Sequence, residues 1–147
     1  MENKLYYSFD NLKDDLKLIS NKIDESQFKI DVIIGPCRGA YIPGVMFSHL
    51  YKKPFEGFLW QTRDGNEKDA NGLRNLITKY LNKNILVIDD INDSGKTLID
   101  IKMEINKIID SLNITQSKIK YCTIFNKTQS DFKDVDYFAN ELTPENN

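Results

Sequence analysis

The chain has 147 residues, a formal net charge of −2 and a sequence pI near 5.4. A chain of this length can build a core of its own, so we expect one domain over residues 1–147. The small net charge gives no overall attraction to nucleic acid or to an anionic membrane, which argues against both as partners and predicts a small ligand held by a local site.

The cysteines and the N-terminal residues indicate the compartment. Cys37 and Cys122 lie in or beside apolar runs, without the spacing of zinc ligands or of a disulfide framework. The N-terminal segment lacks the apolar region of a signal peptide, and no apolar run reaches the ~20 residues that span a bilayer. We therefore expect free thiols and a cytoplasmic protein.

Apolar residues at helical spacing predict two helices in the first third of the chain. Ser8 and Asp10 offer cap oxygens for the first helix. Its predicted core face consists of Leu12, Leu16, Ile19 and Ile23. Between the two helices, a β-branched run closed by glycine predicts a buried strand over residues 29–35. The predicted core face of the second helix consists of Ile42, Val45, Met46 and Leu50.

The remaining chain also alternates strand and helix patterns. Further strands are predicted over residues 54–61, 84–90, 118–125 and 135–138. A polar stretch, residues 62–75, separates the first two of these, and such stretches in a compact domain are usually functional or mobile. A short helix over residues 76–81 follows it, and a long amphipathic helix begins after Gly95. The core face of that long helix consists of Leu98, Ile101, Ile105, Ile108 and Leu112.

This alternation predicts an α/β fold, a doubly wound parallel sheet with helices on both faces. Ligands of such sheets bind beyond the carboxyl ends of the strands. The two most unusual loops, residues 36–40 and 89–97, both follow predicted strands and therefore lie at that end of the sheet. The ligand is expected at these loops.

The stretch ILVIDDINDSGKTL, residues 85–98, contains the Gly-Lys-Thr of many ATP- and GTP-binding loops. The nucleotide-binding signature requires a glycine five residues before the Gly-Lys pair, and Asp90 stands at that position. Because a carboxylate is unsuited to a loop that wraps phosphates, a P-loop ATPase is a distant alternative.

The same stretch places an anion site beside two acids. Residues 93–97 lie between a strand and a helix N-terminus, where backbone N–H groups and the helix dipole favour a phosphomonoester. Asp89 and Asp90 are good acceptors for vicinal hydroxyls, and a phosphate next to two hydroxyls is the pattern of ribose 5-phosphate. In the alternative reading, the two acids are solvated strand ends and Asp93 only caps the helix.

Residues 85–98 resemble the ribose-phosphate-binding signature of the type I phosphoribosyltransferases, enzymes that use 5-phosphoribosyl 1-pyrophosphate (PRPP). The order of the other segments resembles the bacterial xanthine-guanine branch. VIIGPCRGAYIPGVMFSHLYKKP is similar to its pyrophosphate-loop region, and YCTIFNK to its base-contacting strand. The resemblance covers most of the chain and implies the type I fold with a flexible lid loop and a short or truncated C-terminal hood.

The resemblance also implies roles for the residues of the signature. Asp89 and Asp90 would hold the ribose hydroxyls, and Asp89 would bind Mg²⁺ directly or through water. Asp93 belongs to the same ribose-phosphate site and would be the catalytic residue, facing the incoming base near its ring nitrogen. The residues that would cradle the 5-phosphate are Ser94, Gly95, Lys96 and Thr97.

Two further segments receive roles by the same resemblance. The pyrophosphate loop would consist of Cys37, Arg38 and Gly39, and family members often carry a non-proline cis peptide there. Lys127 would meet the 6-oxygen of a purine base. The sequence stops before the aromatic residue of the family's hood, so either it is truncated, or Phe138 or Tyr137 takes that place at the base site, or selective base binding is lost.

The implied activity is transfer of the 5-phosphoribosyl group from PRPP to guanine, xanthine or hypoxanthine, with Mg²⁺ as cofactor and residues 62–75 as a lid that excludes water. A reading from another class is a noncatalytic sensor of PRPP or nucleotides on the same fold. The intact Asp89, Asp90 and Asp93 favour catalysis, whereas the short C-terminus favours the sensor. The family also implies a homodimer or homotetramer.

Overall fold

Helices and strands alternate along the chain in this computed structural model, which describes residues 7–61, 67–113 and 118–146. Its strands are β1 (Val32–Cys37), β2 (Phe55–Leu59), β3 (Asn84–Asn92), β4 (Lys118–Lys127) and β5 (Tyr137–Leu142). Its helices are α1 (Phe9–Glu25), α2 (Tyr41–Tyr51), α3 (Ala70–Lys79) and α4 (Lys96–Leu112). Within these ranges, no helix is long and apolar enough to cross a membrane.

The strands of the described residues form one parallel sheet in the order β2-β1-β3-β4-β5. This arrangement confirms the predicted α/β fold. β1 and β3 are neighbours, so the loops that follow them leave the sheet side by side. Both loops identified in the sequence therefore emerge at one edge of the sheet.

Two apolar clusters cover the two faces of the sheet. On one face, Ile19 of α1 shares a cluster with Leu86 of β3, and α2 contributes to the same layer. On the other face, Ile101 of α4 shares a cluster with Val87 of β3, and α3 contributes there. All four side chains are fully buried. Because both faces are covered, the central strands read as continuous apolar runs.

The first and last helices match their predicted patterns. α1 begins after Ser8, whose hydroxyl accepts from the Asn11 N–H at 3.1 Å while the Asn11 side chain accepts from the Ser8 N–H at 3.0 Å. All four predicted core residues of α1 are buried. In α4, the buried ones are Leu98, Ile101, Ile105 and Ile108. Leu112 is partly buried against the same cluster.

The predicted core face of α2 is wrong. Ile42, Val45 and Leu50 are exposed, and only Met46 packs partly against the core. The helix instead turns Gly44 and Phe47 inward. A Cβ at Gly44 would lie 2.3 Å from the Phe55 ring, so the absence of a side chain there lets the helix approach β2. Close approach, and not the spacing of the largest aliphatic residues, sets the buried face.

Several boundaries differ from the predicted ones. β1 and β3 both extend further toward the site, to Cys37 and Asn92. α3 begins at Ala70, not at residue 76, because the Asp69 carboxylate accepts from the Gly72 N–H at 2.8 Å and caps the helix. Part of the predicted lid is therefore helical. Residues 67–69 of the lid precede this helix, and residues 62–66, with Arg63, lie outside the described residues.

Candidate active site

A cleft of about 470 Å³ lies at the carboxyl ends of β1 and β3. This volume falls within the usual range of small-molecule sites, about 300 to 1,000 Å³. The segments that line it are residues 36–39, 60–61, 89–95 and 97–98. The cleft therefore unites the two loops that the sequence singled out, together with the end of β2.

The loop after β1 passes directly against the acid pair. The peptide bond between Cys37 and Arg38 is cis. A Cβ at Gly39 would lie 2.8 Å from Asp90 Oδ1 and 2.9 Å from Asp89 Oδ1, closer than real Cβ contacts come. Only a residue without a side chain lets the backbone come this close to both carboxylates. An anion on this loop would therefore adjoin whatever the two acids hold.

The two acids differ in their surroundings. Asp89 is only 7% exposed, whereas Asp90 is exposed. Asp89 Oδ1 accepts from the Asp90 N–H at 2.9 Å, and Asp90 Oδ1 accepts from the Ile91 N–H at 2.8 Å. Burial, and then the neighbouring Asp90 carboxylate, raise the pKa of Asp89 well above its usual range. No cation of the described residues pairs with either carboxylate, so both face the cleft as acceptors.

The donor set of the cleft suits Mg²⁺ only if a ligand brings it. In the described part of the chain, no three acidic, histidine or cysteine side chains form a metal cluster. Mg²⁺ is usually bound through one or two carboxylates with substrate phosphates and water completing the shell. Asp89 and Asp90 fit that pattern, and they would hold a metal that arrives with a phosphate ester.

The second loop leads into the N-terminus of α4. Gly95 is the N-terminal cap residue with φ of 94°, and a Cβ there would lie 2.4 Å from the Phe132 backbone nitrogen. Ser94 and Thr97 line the cleft. The backbone N–H groups of this first turn and the helix dipole favour a phosphate.

A buried polar network holds this loop in place. Asn92 is 1% exposed, and its amide donates to the Asn126 side chain at 2.8 Å and to the Phe132 carbonyl at 3.0 Å. The Ser130 hydroxyl donates to the Asn92 Oδ1 at 2.7 Å and accepts from the Phe132 N–H at 3.1 Å. A network in which every member is satisfied rigidifies its surroundings. It ties the end of β3 to the loop after β4.

The predicted catalytic acid and the predicted base-contacting lysine form an ion pair. Lys127 Nζ lies 2.7 Å from Asp93 Oδ1, and their side chains are 19% and 44% exposed. Lys127 is the last residue of β4, and Asp93 follows the end of β3, the neighbouring strand. The parallel pairing of these two strands brings together two residues that are far apart in sequence.

The chain matches the sequence model of the phosphoribosyl transferase domain over residues 6–147. It belongs to this family. A comparison with curated protein sequences found no match.

Solved structures share the phosphoribosyltransferase fold at low sequence identity. The purine phosphoribosyltransferase from Pyrococcus horikoshii Ot3 has a TM-score of 0.72 at 24% identity, over 99% of this chain and 95% of that chain. Helicobacter pylori xanthine-guanine-hypoxanthine phosphoribosyltransferase has a TM-score of 0.64 at 17% identity, over 95% of this chain and 91% of that chain. A hypothetical protein from Neisseria gonorrhoeae, solved with bound ppGpp, has a TM-score of 0.70 at 14% identity, over 98% of this chain and 86% of that chain.

The structure places three of the predicted residues of this phosphoribosyltransferase domain away from the cleft. Phe138 lies on β5 opposite Thr123, below the strand ends, and its ring lies 4.9 Å from Lys22 Nζ of α1. Lys96 is exposed and does not line the cleft. Arg74, predicted in the lid, donates to the Ser111 hydroxyl at 3.1 Å.

Other cleft residues of this family member were not predicted. Asn92 was not singled out because its role depends on partners that are distant in sequence. Trp60 was assigned to the core or to an interface. It is indeed 5% exposed, but it also lines the cleft, and its indole N–H has no partner among the described residues.

Proposed function

We propose that this chain transfers the 5-phosphoribosyl group from PRPP to a 6-oxopurine, which is guanine, xanthine or hypoxanthine, and releases pyrophosphate. The observation that carries the proposal is the contact of Gly39 with the acid pair. It brings the loop after β1, two carboxylates and a helix N-terminus together in one cleft. PRPP carries the three matching groups: a pyrophosphate, a pair of ribose hydroxyls and a 5-phosphate.

Each part of the cleft binds one part of PRPP. The backbone of residues 37–39 and the Arg38 guanidinium bind the pyrophosphate. Asp89 and Asp90 accept from the two ribose hydroxyls. The first turn of α4, with Ser94 and Thr97, binds the 5-phosphate. Mg²⁺ bound with the pyrophosphate would neutralise charge on the leaving group.

The reaction exchanges one bond at the anomeric carbon for another. The bond from this carbon to the pyrophosphate oxygen breaks, and the electron pair leaves with the pyrophosphate. A ring nitrogen of the base forms the new bond through a transition state with positive charge on the ribose ring. Asp93 takes the proton of that nitrogen or stabilises the positive charge. No covalent intermediate is needed.

Lys127 supports the choice of a 6-oxopurine. Its ammonium is held 2.7 Å from Asp93, so it lies beside the residue that meets the base. An ammonium has only donors, which suit a 6-oxygen and not a 6-amino group. Two proteins that share the fold are named as enzymes acting on purines: the purine phosphoribosyltransferase from Pyrococcus horikoshii Ot3 and the Helicobacter pylori enzyme.

The test is product formation from PRPP and Mg²⁺ with guanine, xanthine, hypoxanthine and adenine in parallel. We expect turnover of one or more 6-oxopurines, little or none of adenine, and loss of turnover in Asp93→Asn. PRPP binding without turnover of any base would overturn the proposal.

A noncatalytic sensor is the second candidate, and one observation favours it. The Neisseria gonorrhoeae protein of the same fold was solved with bound ppGpp. A cleft with an anion site at each end also suits a nucleotide that carries phosphates at two positions. Binding of ppGpp together with absence of turnover would establish this candidate, whereas turnover of a 6-oxopurine would exclude a purely sensory role.

A further inference from the structure

A second hollow adjoins the cleft on the α1 and α2 side of the sheet. It is a groove of about 420 Å³ between the N-terminal ends of α1 and α2 and the carboxyl ends of β3 and β4. Its walls are mainly apolar and carry three aromatic rings, those of Tyr7, Phe9 and Phe125. Nothing in the phosphoribosyl chemistry proposed above uses these rings.

The groove and the cleft are continuous. Gly39, Asp90 and Ile91 line both of them. A ribose held by the acid pair therefore lies at the border between a polar hollow and an apolar one. Apart from Gly39, the residues of both proposed phosphate-binding loops belong to the polar side, so the apolar side is left for a ligand part without charge.

The strand pairing puts the ion pair close to the groove. Ile91 of β3 is opposite Phe125 of β4 in the sheet, and both line the groove. Asp93 and Lys127 follow these two residues along the chain, each by two positions. A flat ring seated on the apolar pair would thus have its polar edge near the residues that recognise it.

Two of the aromatic walls, Tyr7 and Phe125, are held in position, and the third, Phe9, offers free surface. The Tyr7 ring packs edge-on against Phe125 with 5.0 Å between centroids, and its hydroxyl donates to the Asp15 carboxylate. Asp15 also accepts from the Asn140 amide at 2.8 Å. Phe9 is 72% exposed, which is unusual for so large an apolar side chain beside a groove.

We infer that this groove binds the heteroaromatic ring of the acceptor base, which packs against Phe9, Phe125 and Ile91 while the ribose stays on the acid pair. The inference rests on the proposed function and deepens it, since it moves the base site from Phe138 to the N-terminal end of α1. A purine ring is flat and largely apolar on its faces, and aromatic side chains stack on it whichever substituents it carries.

The test compares two ligands that differ only by the base. GMP and ribose 5-phosphate are titrated by calorimetry into the wild type, Phe9→Ala, Phe125→Leu and the control Val45→Ala. Val45, like the groove residue Ile42, is an exposed apolar residue of α2, but it does not line the groove. We expect Phe9→Ala to weaken GMP about tenfold, since losing one stacking ring costs this much, and to leave ribose 5-phosphate unchanged.

The outcomes separate the inference from the proposed function. Equal GMP affinity in all four proteins overturns the groove assignment. Equally weakened binding of GMP and of ribose 5-phosphate also overturns it. So does a change in oligomeric state, measured by light scattering, with unchanged GMP affinity; this result would assign the surface to a second copy of the chain. A wild type that binds GMP through the groove but turns over no base overturns the proposed function alone.

Discussion

The cleft and the groove are adjoining hollows of similar volume, about 470 and 420 Å³, and they are built in opposite ways. The cleft consists of short continuous loops, carboxylates and backbone N–H groups. The groove consists of apolar side chains from segments that are far apart in sequence, near Phe9, Ile42 and Phe125. A site made of consecutive residues leaves a motif in the sequence, whereas a site made of scattered side chains does not.

The comparison also indicates how the ligand is divided. Under the two proposals, the charged and hydroxyl groups of the ligand belong to the cleft, and the base belongs to the groove. Substitutions in the cleft should therefore change PRPP binding or chemistry, and substitutions in the groove should change only affinity for the base.

The largest effect is expected for Asp93→Asn in the cleft. Removal of a positioned acid-base group typically costs 10² to 10⁴ in rate, so we expect a loss of kcat of about this size. Asparagine keeps the shape of the side chain, and PRPP affinity should therefore persist. Steady-state kinetics and calorimetry measure the two quantities. A variant with normal kcat would remove Asp93 from the chemistry.

Gly39→Ala should affect both hollows because Gly39 lines both. The new Cβ would collide with the two acid-pair carboxylates, and such overpacking costs about 1 to 3 kcal/mol. We expect PRPP affinity to fall about tenfold to a hundredfold, as measured by calorimetry with Mg²⁺ present. The melting temperature serves as the control for folding. Unchanged PRPP affinity would show that the pyrophosphate does not use this loop.

Lys127→Met should change the base side alone. Loss of a hydrogen bond from a charged group typically costs about 1.5 to 3 kcal/mol, so we expect KM for the 6-oxopurine to rise at least tenfold. PRPP affinity should not change. Lys118→Met, an exposed lysine at the opposite end of the same strand, is the matched control. Equal effects of the two variants would contradict the assigned role.

Asp89→Asn should have the smallest effect, and a stabilising one. Because burial raises the pKa of Asp89, the folded state favours its protonated form, and ionisation at neutral pH destabilises the fold. Without Mg²⁺ at pH 7, Asp89→Asn should raise the free energy of unfolding by about 1 to 3 kcal/mol, the usual cost of removing a buried polar group from water. The gain should vanish in acid, below the usual carboxyl pKa. Asp90→Asn, which removes an exposed acid, should give little gain; equal gains would contradict the explanation.

The sequence predicted the sheet and the cleft because both depend on local patterns. Apolar strands and the periodicity of α1 and α4 were sufficient for the fold, and residues 85–98 contribute most of the lining of the cleft. The contact of Gly39 with the acid pair follows from the neighbouring positions of β1 and β3. The positions of the two loops at the strand ends could thus be predicted from the residues themselves, whereas the roles expected for them came from the family resemblance.

Other features depend on packing that no local pattern records. The buried face of α2 is set by the close approach of Gly44 to Phe55, so its most regular apolar stripe lies outside. Phe138 was assigned to the base by its position in the chain, but its ring lies beside Lys22. The polar network around Asn92 joins three segments, and single residues of such a network have no signature.

A crystal structure of the protein with GMP, pyrophosphate and Mg²⁺ tests the division between cleft and groove most directly. The account predicts the 5-phosphate at the N-terminus of α4, the ribose hydroxyls on Asp89 and Asp90, and the guanine ring in the groove against Phe125. A phosphate bound elsewhere, or a guanine ring outside the groove, would contradict it.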